Sequence, residues 1–251
     1  MGKTTTAINL AASLAVSDIR VLLIDSDPQG NATSGLGIAK SLDRPSLYQV
    51  LLAETQIIEA VLKTDLDGLD LVSADKNLIG ANLELVAVPE REYRLRQKIL
   101  QVKDQYGFIV IDCPPALDLL TLNALLAADS VLIPLQCEFF ALEGISELIA
   151  TIDRIRETLD HPLAIEGILL TMFDDRTNLT RQVAADLREF FGKDVLETVI
   201  PRSVRLAEAP SHGKPILTYD LRSRGAESYI QLAKEILDRD HARRKSAQSV
   251  G

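Results

Sequence analysis

Five short apolar runs, each ending at an acid, a proline or a small residue, limit what this chain can fold into. They are Arg20-Val21-Leu22-Leu23-Ile24-Asp25, Leu69-Asp70-Leu71-Val72-Ser73, Phe108-Ile109-Val110-Ile111-Asp112, Ser130-Val131-Leu132-Ile133-Pro134 and Ile165-Glu166-Gly167-Ile168-Leu169-Leu170-Thr171. Aliphatic runs of this length predict strands buried on both faces, a property of parallel sheets. Between them, Thr5 to Val16, Glu92 to Val102, Leu119 to Ala128, Leu142 to Leu159, Thr180 to Phe191 and Glu227 to Leu237 carry helical apolar spacing. Parallel strands need long crossovers, and a helix is the usual one. The expected fold is α/β, a doubly wound, mostly parallel sheet flanked by helices and joined by right-handed crossovers.

At 251 residues and 47% hydrophobic content the chain can bury a large core as one domain. Neither a repeat nor a low-complexity linker divides it, so residues 1–240 are expected to form a single domain. The polar stretch 241–251 is expected to be an unstructured tail. The longest apolar stretches, such as Val131 to Leu135, fall far short of the roughly 20 residues that span a membrane. Cys113 and Cys137 each sit in or beside a strand-like run, which predicts buried, reduced thiols and a cytoplasmic protein. A net charge of −9 argues against coating nucleic acid by overall field. Locally the balance reverses: between positions 202 and 224, Arg202, Arg205, Lys214, Arg222 and Arg224 face only Glu208 and Asp220. A local DNA-binding face and ordinary solvated charge both fit that stretch.

Three motifs carry chemistry. Gly2-Lys3-Thr4-Thr5 opens an apolar helix twenty residues ahead of a strand that ends in acid. It reads as the helix-opening half of a phosphate-binding loop, with Lys3 bridging the β- and γ-phosphates of ATP and the Thr4 hydroxyl on Mg²⁺. Asp25-Ser26-Asp27-Pro28 delivers two carboxylates to a strand's carboxyl end, where ligands bind in open α/β sheets. Asp27, fixed by the following proline, is the candidate for orienting the attacking water. Ile109-Val110-Ile111-Asp112-Cys113-Pro114-Pro115 ends a buried strand in a single acid, and Asp112 is the second candidate for the metal shell.

These segments, together with Gly30-Asn31-Ala32-Thr33-Ser34-Gly35-Leu36-Gly37, Glu138-Phe139-Phe140-Ala141-Leu142-Glu143-Gly144, Leu170 to Asn178 and Ile200 to Ile216, closely resemble the ParA/Soj chromosome- and plasmid-partitioning ATPases. These form the deviant Walker A branch of P-loop proteins. The resemblance implies an ATP-driven switch that forms a homodimer on binding ATP, with the two nucleotides sandwiched between subunits. It further implies sequence-independent DNA binding, stimulation by a ParB-like protein and a nucleoid-associated location. By the same resemblance Gly2, Lys3, Thr4 and Thr5 hold the nucleotide phosphates, Met172, Pro201 and Arg202 lie near the adenine, and Arg176 and Arg205 belong to the DNA-binding face. A surface ion pair is the alternative for each of those two arginines.

The family's loop reads Lys-Gly-Gly-Val-Gly-Lys-Thr after a buried strand, and Met1 stands where that valine belongs. The first strand, two glycines and the signature lysine are therefore expected to lie upstream, and without them the dimer sandwich is expected to be impaired. Rival readings are a division-site-positioning ATPase that cycles on membranes, an iron–sulfur reductase, a small-molecule kinase and an inactive DNA- or protein-binding module. The residues 238–249 offer almost no apolar face for a membrane helix, which counts against the first of these. The two cysteines do not form a surface pair for a cluster, and no acceptor-substrate motif is visible.

Overall fold

Each of the five apolar runs forms a strand, and the strands divide between two sheets. The structure is a computed structural model that describes residues 2–40, 43–53 and 55–248, so Met1 and the end of the tail, 249–251, lie outside the described residues. In chain order, α1 (Lys3–Ala15) leads to β1 (Val21–Asp25), α2 (Asn31–Gly35), α3 (Leu47–Leu52), β2 (Val61–Lys63) and β3 (Leu69–Val72). Then come α4 (Leu78–Glu84), α5 (Arg94–Ile99), β4 (Phe108–Asp112), α6 (Leu119–Ala127), β5 (Ser130–Gln136), α7 (Ala141–Leu159) and β6 (Ala164–Phe173). The chain finishes with α8 (Asn178–Phe191), β7 (Val195–Pro201), α9 (Val204–Glu208), α10 (Ile216–Tyr219) and α11 (Arg224–Gln248).

One sheet has the order β2-β3-β1-β4 and the other β5-β6-β7. All pairings are parallel except β2 with β3. β1 shows why an uninterrupted aliphatic run suits a parallel sheet. Val21 and Leu23 pack with residues of α1 and α11, whereas Leu22 and Ile24 pack with α3 to α6 on the opposite face. All four are fully buried, each worth about 1.5–3 kcal/mol. A third cluster places Ile145 and Ile152 of α7 and Val183 and Leu187 of α8 against Ile168 and Leu170 of β6.

Two strands were not anticipated. β2 has only three residues, too few to show a pattern. β7 carries Glu197 and Thr198 in mid-strand, which breaks the aliphatic run. Their backbone N–H groups donate to the Glu235 carboxylate of α11 at 2.9 and 3.0 Å, which caps an edge that would otherwise be open.

The tail differs from expectation. α11 continues to Gln248 although the sequence from 241 is polar. Arg239 donates to the carbonyls of Glu166 and Lys193 at 3.0 and 2.9 Å, and Arg243 donates to the Glu166 carboxylate at 2.5 Å. The helix is held by arginine side chains on the start of β6, which apolar periodicity does not report.

Among the described residues β4 pairs only with β1 and β5 only with β6. Between the two sheets lies a slot of about 450 Å³, lined by every residue of β4, by Ser130 to Leu135 of β5, and by residues of α1, α6 and α7. α1 packs on β1, β3 and β4 of one sheet and β5 of the other, so it bridges them. The slot lies beside the strand that ends in Asp112. No helix among the described residues is long and apolar enough to cross a membrane.

Candidate functional site

The first turn of α1 begins at Gly2, whose φ of 92° is a left-handed conformation that glycine adopts without steric cost. A Cβ at this position would come 3.3 Å from Thr171 Oγ1 of β6, a tight contact that adds to the preference for glycine. No side chain caps the helix and no acid lies in its first turn, which leaves the positive end of the helix dipole free for an anion. Lys3, Thr4 and Thr5 follow, partly exposed, and from Thr6 to Ala15 the helix is buried.

Asp112 lies at the carboxyl end of β4, in register with Asp25 at the end of β1, and the Ser26 N–H donates to the Asp112 carbonyl at 2.9 Å. The Asp112 carboxyl is 2% exposed. The Thr4 hydroxyl donates to it, Lys3 attracts it and Asp25 and Asp27 repel it. Burial outweighs the stabilising contacts and pushes it up to about 7. Its Oδ2 has no hydrogen-bond partner among the described residues. An orphaned buried carboxylate oxygen beside a threonine hydroxyl is an all-oxygen donor set that suits a hard cation such as Mg²⁺. Among the described residues no group of three or more His, Cys, Asp or Glu forms a ready-made metal cage. These residues therefore fit an ion that takes its other ligands from phosphate and water.

Asp25 is fully buried, and its role is internal. Its Oδ2 accepts from the Thr33 N–H and hydroxyl, both at 2.7 Å, and its Oδ1 accepts from the Asp27 N–H at 3.2 Å. Burial raises its pKa, although the Thr33 bonds oppose the rise. Thr33 also accepts from the Ala74 N–H at 3.0 Å, tying α2 to the end of β3. Asp27 is buried, and its Oδ1 accepts from the Gln29 N–H at 2.9 Å. Thus the two acids of the second motif separate: Asp25 anchors the loop and Asp27 is aimed by it. Motif spacing assigns Thr33 no role, and its signal is a hydroxyl eight residues beyond the anchored acid. Thr33→Val should lower stability by about 1–3 kcal/mol in urea unfolding, because it leaves Asp25 and the Ala74 N–H short of partners.

Met172, Pro201 and Arg202 gather at the carboxyl ends of β6 and β7, the sheet edge that also holds Gly2. Met172 has a φ of 49°, left-handed for a non-glycine residue and costing on the order of 1–3 kcal/mol. Pro201 pairs with Phe173, whose carbonyl accepts from the Arg202 N–H at 3.1 Å. Pro201 and Arg202, but not Met172, border a second cavity of about 830 Å³, lined also by Phe173, Arg176, Arg205 and Arg224.

Arg176 and Arg205 share that cavity, and each is already paired. Arg176 makes a bidentate contact to Asp174 at 2.8 and 2.7 Å, which pulls the Asp174 carboxyl down to about 2. Arg205 reaches Glu208 at 3.2 Å and Asp220 at 3.5 Å. Both arginines are largely exposed, so these pairs are open to exchange with other anions. Cys113 follows β4 half-buried and Cys137 follows β5 buried, and both are free thiols.

A family model described as "AAA domain" matches residues 1–165. The chain is 50% identical over 249 residues to the chromosome partitioning protein ParA of Caulobacter vibrioides, covering 98% of this chain and 93% of the relative. It is 53% identical over 236 residues to the sporulation initiation inhibitor protein Soj of Bacillus subtilis, covering 94% of this chain and 93% of that one. Among solved structures, cobyrinic acid a,c-diamide synthase from Mycobacterium smegmatis, with bound ADP and magnesium, superposes with a TM-score of 0.81 at 33% identity. That match covers 94% of this chain and 89% of the synthase. Identity at this level over nearly the whole length, with Lys3, Thr4, Asp27 and Asp112 drawn to one end of the sheet, places the chain in the ParA/Soj family of chromosome-partitioning ATPases.

Proposed function

We propose that the protein is an ATP-driven DNA-segregation switch, and the observation that carries the reading is the meeting of Lys3, Thr4 and Asp27 around the orphaned Asp112 carboxylate. Lys3 and the first-turn N–H groups of α1 hold the phosphates, with Gly2 and Thr5 shaping that turn. The Thr4 hydroxyl and Asp112 would hold Mg²⁺, which when bound would supply positive charge to offset that of the phosphates. Asp27, held in place by its bond from the Gln29 N–H, orients the water that attacks in line. Met172, Pro201 and Arg202 border the adenine.

The switch acts on DNA through Arg176 and Arg205, which exchange their carboxylate partners for backbone phosphates. Such contacts are sequence-tolerant and salt-sensitive. Homodimerisation on ATP and stimulation by a ParB-like protein complete the cycle in this reading, supported by the level of identity to ParA and Soj proteins.

The test is steady-state hydrolysis of Mg-ATP with and without DNA, alongside calorimetric titration of Mg-ATP. Measurable affinity and Mg-dependent turnover support the reading; no affinity at millimolar nucleotide overturns it for this chain and leaves a binding module. For the DNA face, Arg205→Ala should weaken binding equally across sequences and reduce the salt slope by about 1 in a fluorescence-anisotropy titration. Unchanged binding at moderate salt would return Arg205 to its ion pairs with Glu208 and Asp220.

A further inference from the structure

α4 is apolar on two faces. Leu78, Ala81 and Leu85 face the core, whereas Ile79, Leu83 and Val86 are 59, 80 and 57% exposed. The helix continues through a turn of 3₁₀ helix (Leu85–Ala87), so positions 79, 83 and 86 form a row along one side of the same rod. A contiguous row, unlike a lone exposed side chain, marks an interaction surface.

The helix is tied to both acid-bearing loops of the site. At its start the Asp75 carboxylate accepts from the Asn77 N–H and the Ser46 hydroxyl, both at 2.7 Å. The neighbouring Ala74 N–H donates to the Thr33 hydroxyl, which itself bonds Asp25. Beside the row, Asn82 Nδ2 donates to Asp118 Oδ2 at 2.7 Å, and Asn82 Oδ1 accepts from the Leu120 N–H at 3.3 Å. Asp118 caps α6 by accepting from the Thr121 N–H at 3.1 Å, at the end of the loop that begins at Asp112. The bond from Asn82 thus brings Leu117, itself exposed, to the flank of the row.

The rim of the row is acidic. Positions 76–92 hold Glu84, Glu90 and Glu92 against Lys76 and Arg91, and Arg91 is drawn onto the Val86 carbonyl at 2.7 Å. A second copy meeting this face across a two-fold axis sets the same acids against each other. A basic amphipathic helix meets it with complementary charge, and the net charge of −9 favours its approach. We propose that the Ile79, Leu83 and Val86 face of α4 docks a basic amphipathic helix of the ParB-like protein, and that Asn82 passes the contact to the loop between Asp112 and α6. This rests on the reading of the chain as an ATPase stimulated by such a protein, and adds the surface through which stimulation acts.

The experiment uses the ParB-like protein encoded in the same genome and reads two quantities separately: its binding, by fluorescence anisotropy, and its effect on Mg-ATP hydrolysis. Leu83→Asp is expected to weaken binding by about tenfold or more and to lose the stimulation, with basal hydrolysis and Mg-ATP affinity unchanged. Glu84→Lys combined with Glu90→Lys should weaken binding most at low salt. Asn82→Ala should retain binding while stimulation falls. A wild-type chain that does not bind the ParB-like protein, or variants of Leu83 and of the two glutamates that bind like the wild type, overturn the docking surface. Loss of basal hydrolysis in Leu83→Asp overturns it too and places the row in the support of the site. Self-association in sedimentation that disappears with Leu83→Asp makes a second copy the occupant and overturns the partner helix. Full stimulation of Asn82→Ala overturns the relay. No hydrolysis by the wild type, with binding that still depends on Leu83, overturns the ATPase reading and supports the surface.

Discussion

Asp27→Ala should reduce ATP hydrolysis by about 10²–10⁴-fold, the usual range for a residue that manages a proton or water in the transition state. ATP and DNA binding should persist. The side chain is aimed rather than merely present: Pro28 restricts the backbone beyond it, the Gln29 N–H bonds its Oδ1, and Asp25 holds its own N–H. Removing the carboxylate leaves Lys3, Thr4 and Asp112 in place, so nucleotide affinity measured by calorimetry should stay within a few-fold. Asp27→Asn separates two possible contributions, since the amide keeps the acceptor but not the charge. If turnover survives Asp27→Ala unchanged, the residue has no part in positioning water and returns to the loop hydrogen bond it makes with Gln29.

The second large effect is on stability. In the metal-free protein the Asp112 carboxyl is pushed from 3.8 to about 7, so it binds a proton more tightly folded than unfolded. The stability it contributes is full below pH 3.8 and is lost as pH rises through about 7. Three units correspond to at most about 4 kcal/mol at 1.36 kcal/mol per unit. Urea unfolding in the presence of a chelator should show the wild type weakening between about pH 4 and pH 7. Asp112→Asn, neutral throughout, should flatten much of that slope, and the part that remains reports Asp25, which burial shifts in the same direction. A variant as steep as the wild type would place the titration elsewhere.

How far the sequence reached depends on what held each element together. β1 and β4 were legible because aliphatic runs ending in acid have few alternatives to a buried parallel strand. β7 was not, since Glu197 and Thr198 occupy an edge whose amides are met by Glu235, thirty-odd residues away in sequence. α2 spans only five residues and is fixed by the bonds from Thr33 to Asp25, which leave no periodic trace. In the site, Lys3, Thr4, Asp27 and Asp112 could be named from motif spacing because each is tied to the end of a legible element. The division of labour between Asp25 and Asp27 could not, because it depends on which carboxylate Thr33 reaches. Arg205 illustrates the same limit: its excess positive neighbourhood was visible, whereas its contact with Asp220 exists only through the turn between α9 and α10.

α1 touches more of the molecule than any other helix of its length, and this bears on how nucleotide and DNA could communicate. Ten of its thirteen residues are buried, it lies against strands of both sheets, and the Thr6 hydroxyl meets the Tyr229 hydroxyl of α11 at 3.2 Å. A displacement of its first turn would therefore bear on both sheets and on α11, whose own first turn borders the arginine-lined cavity.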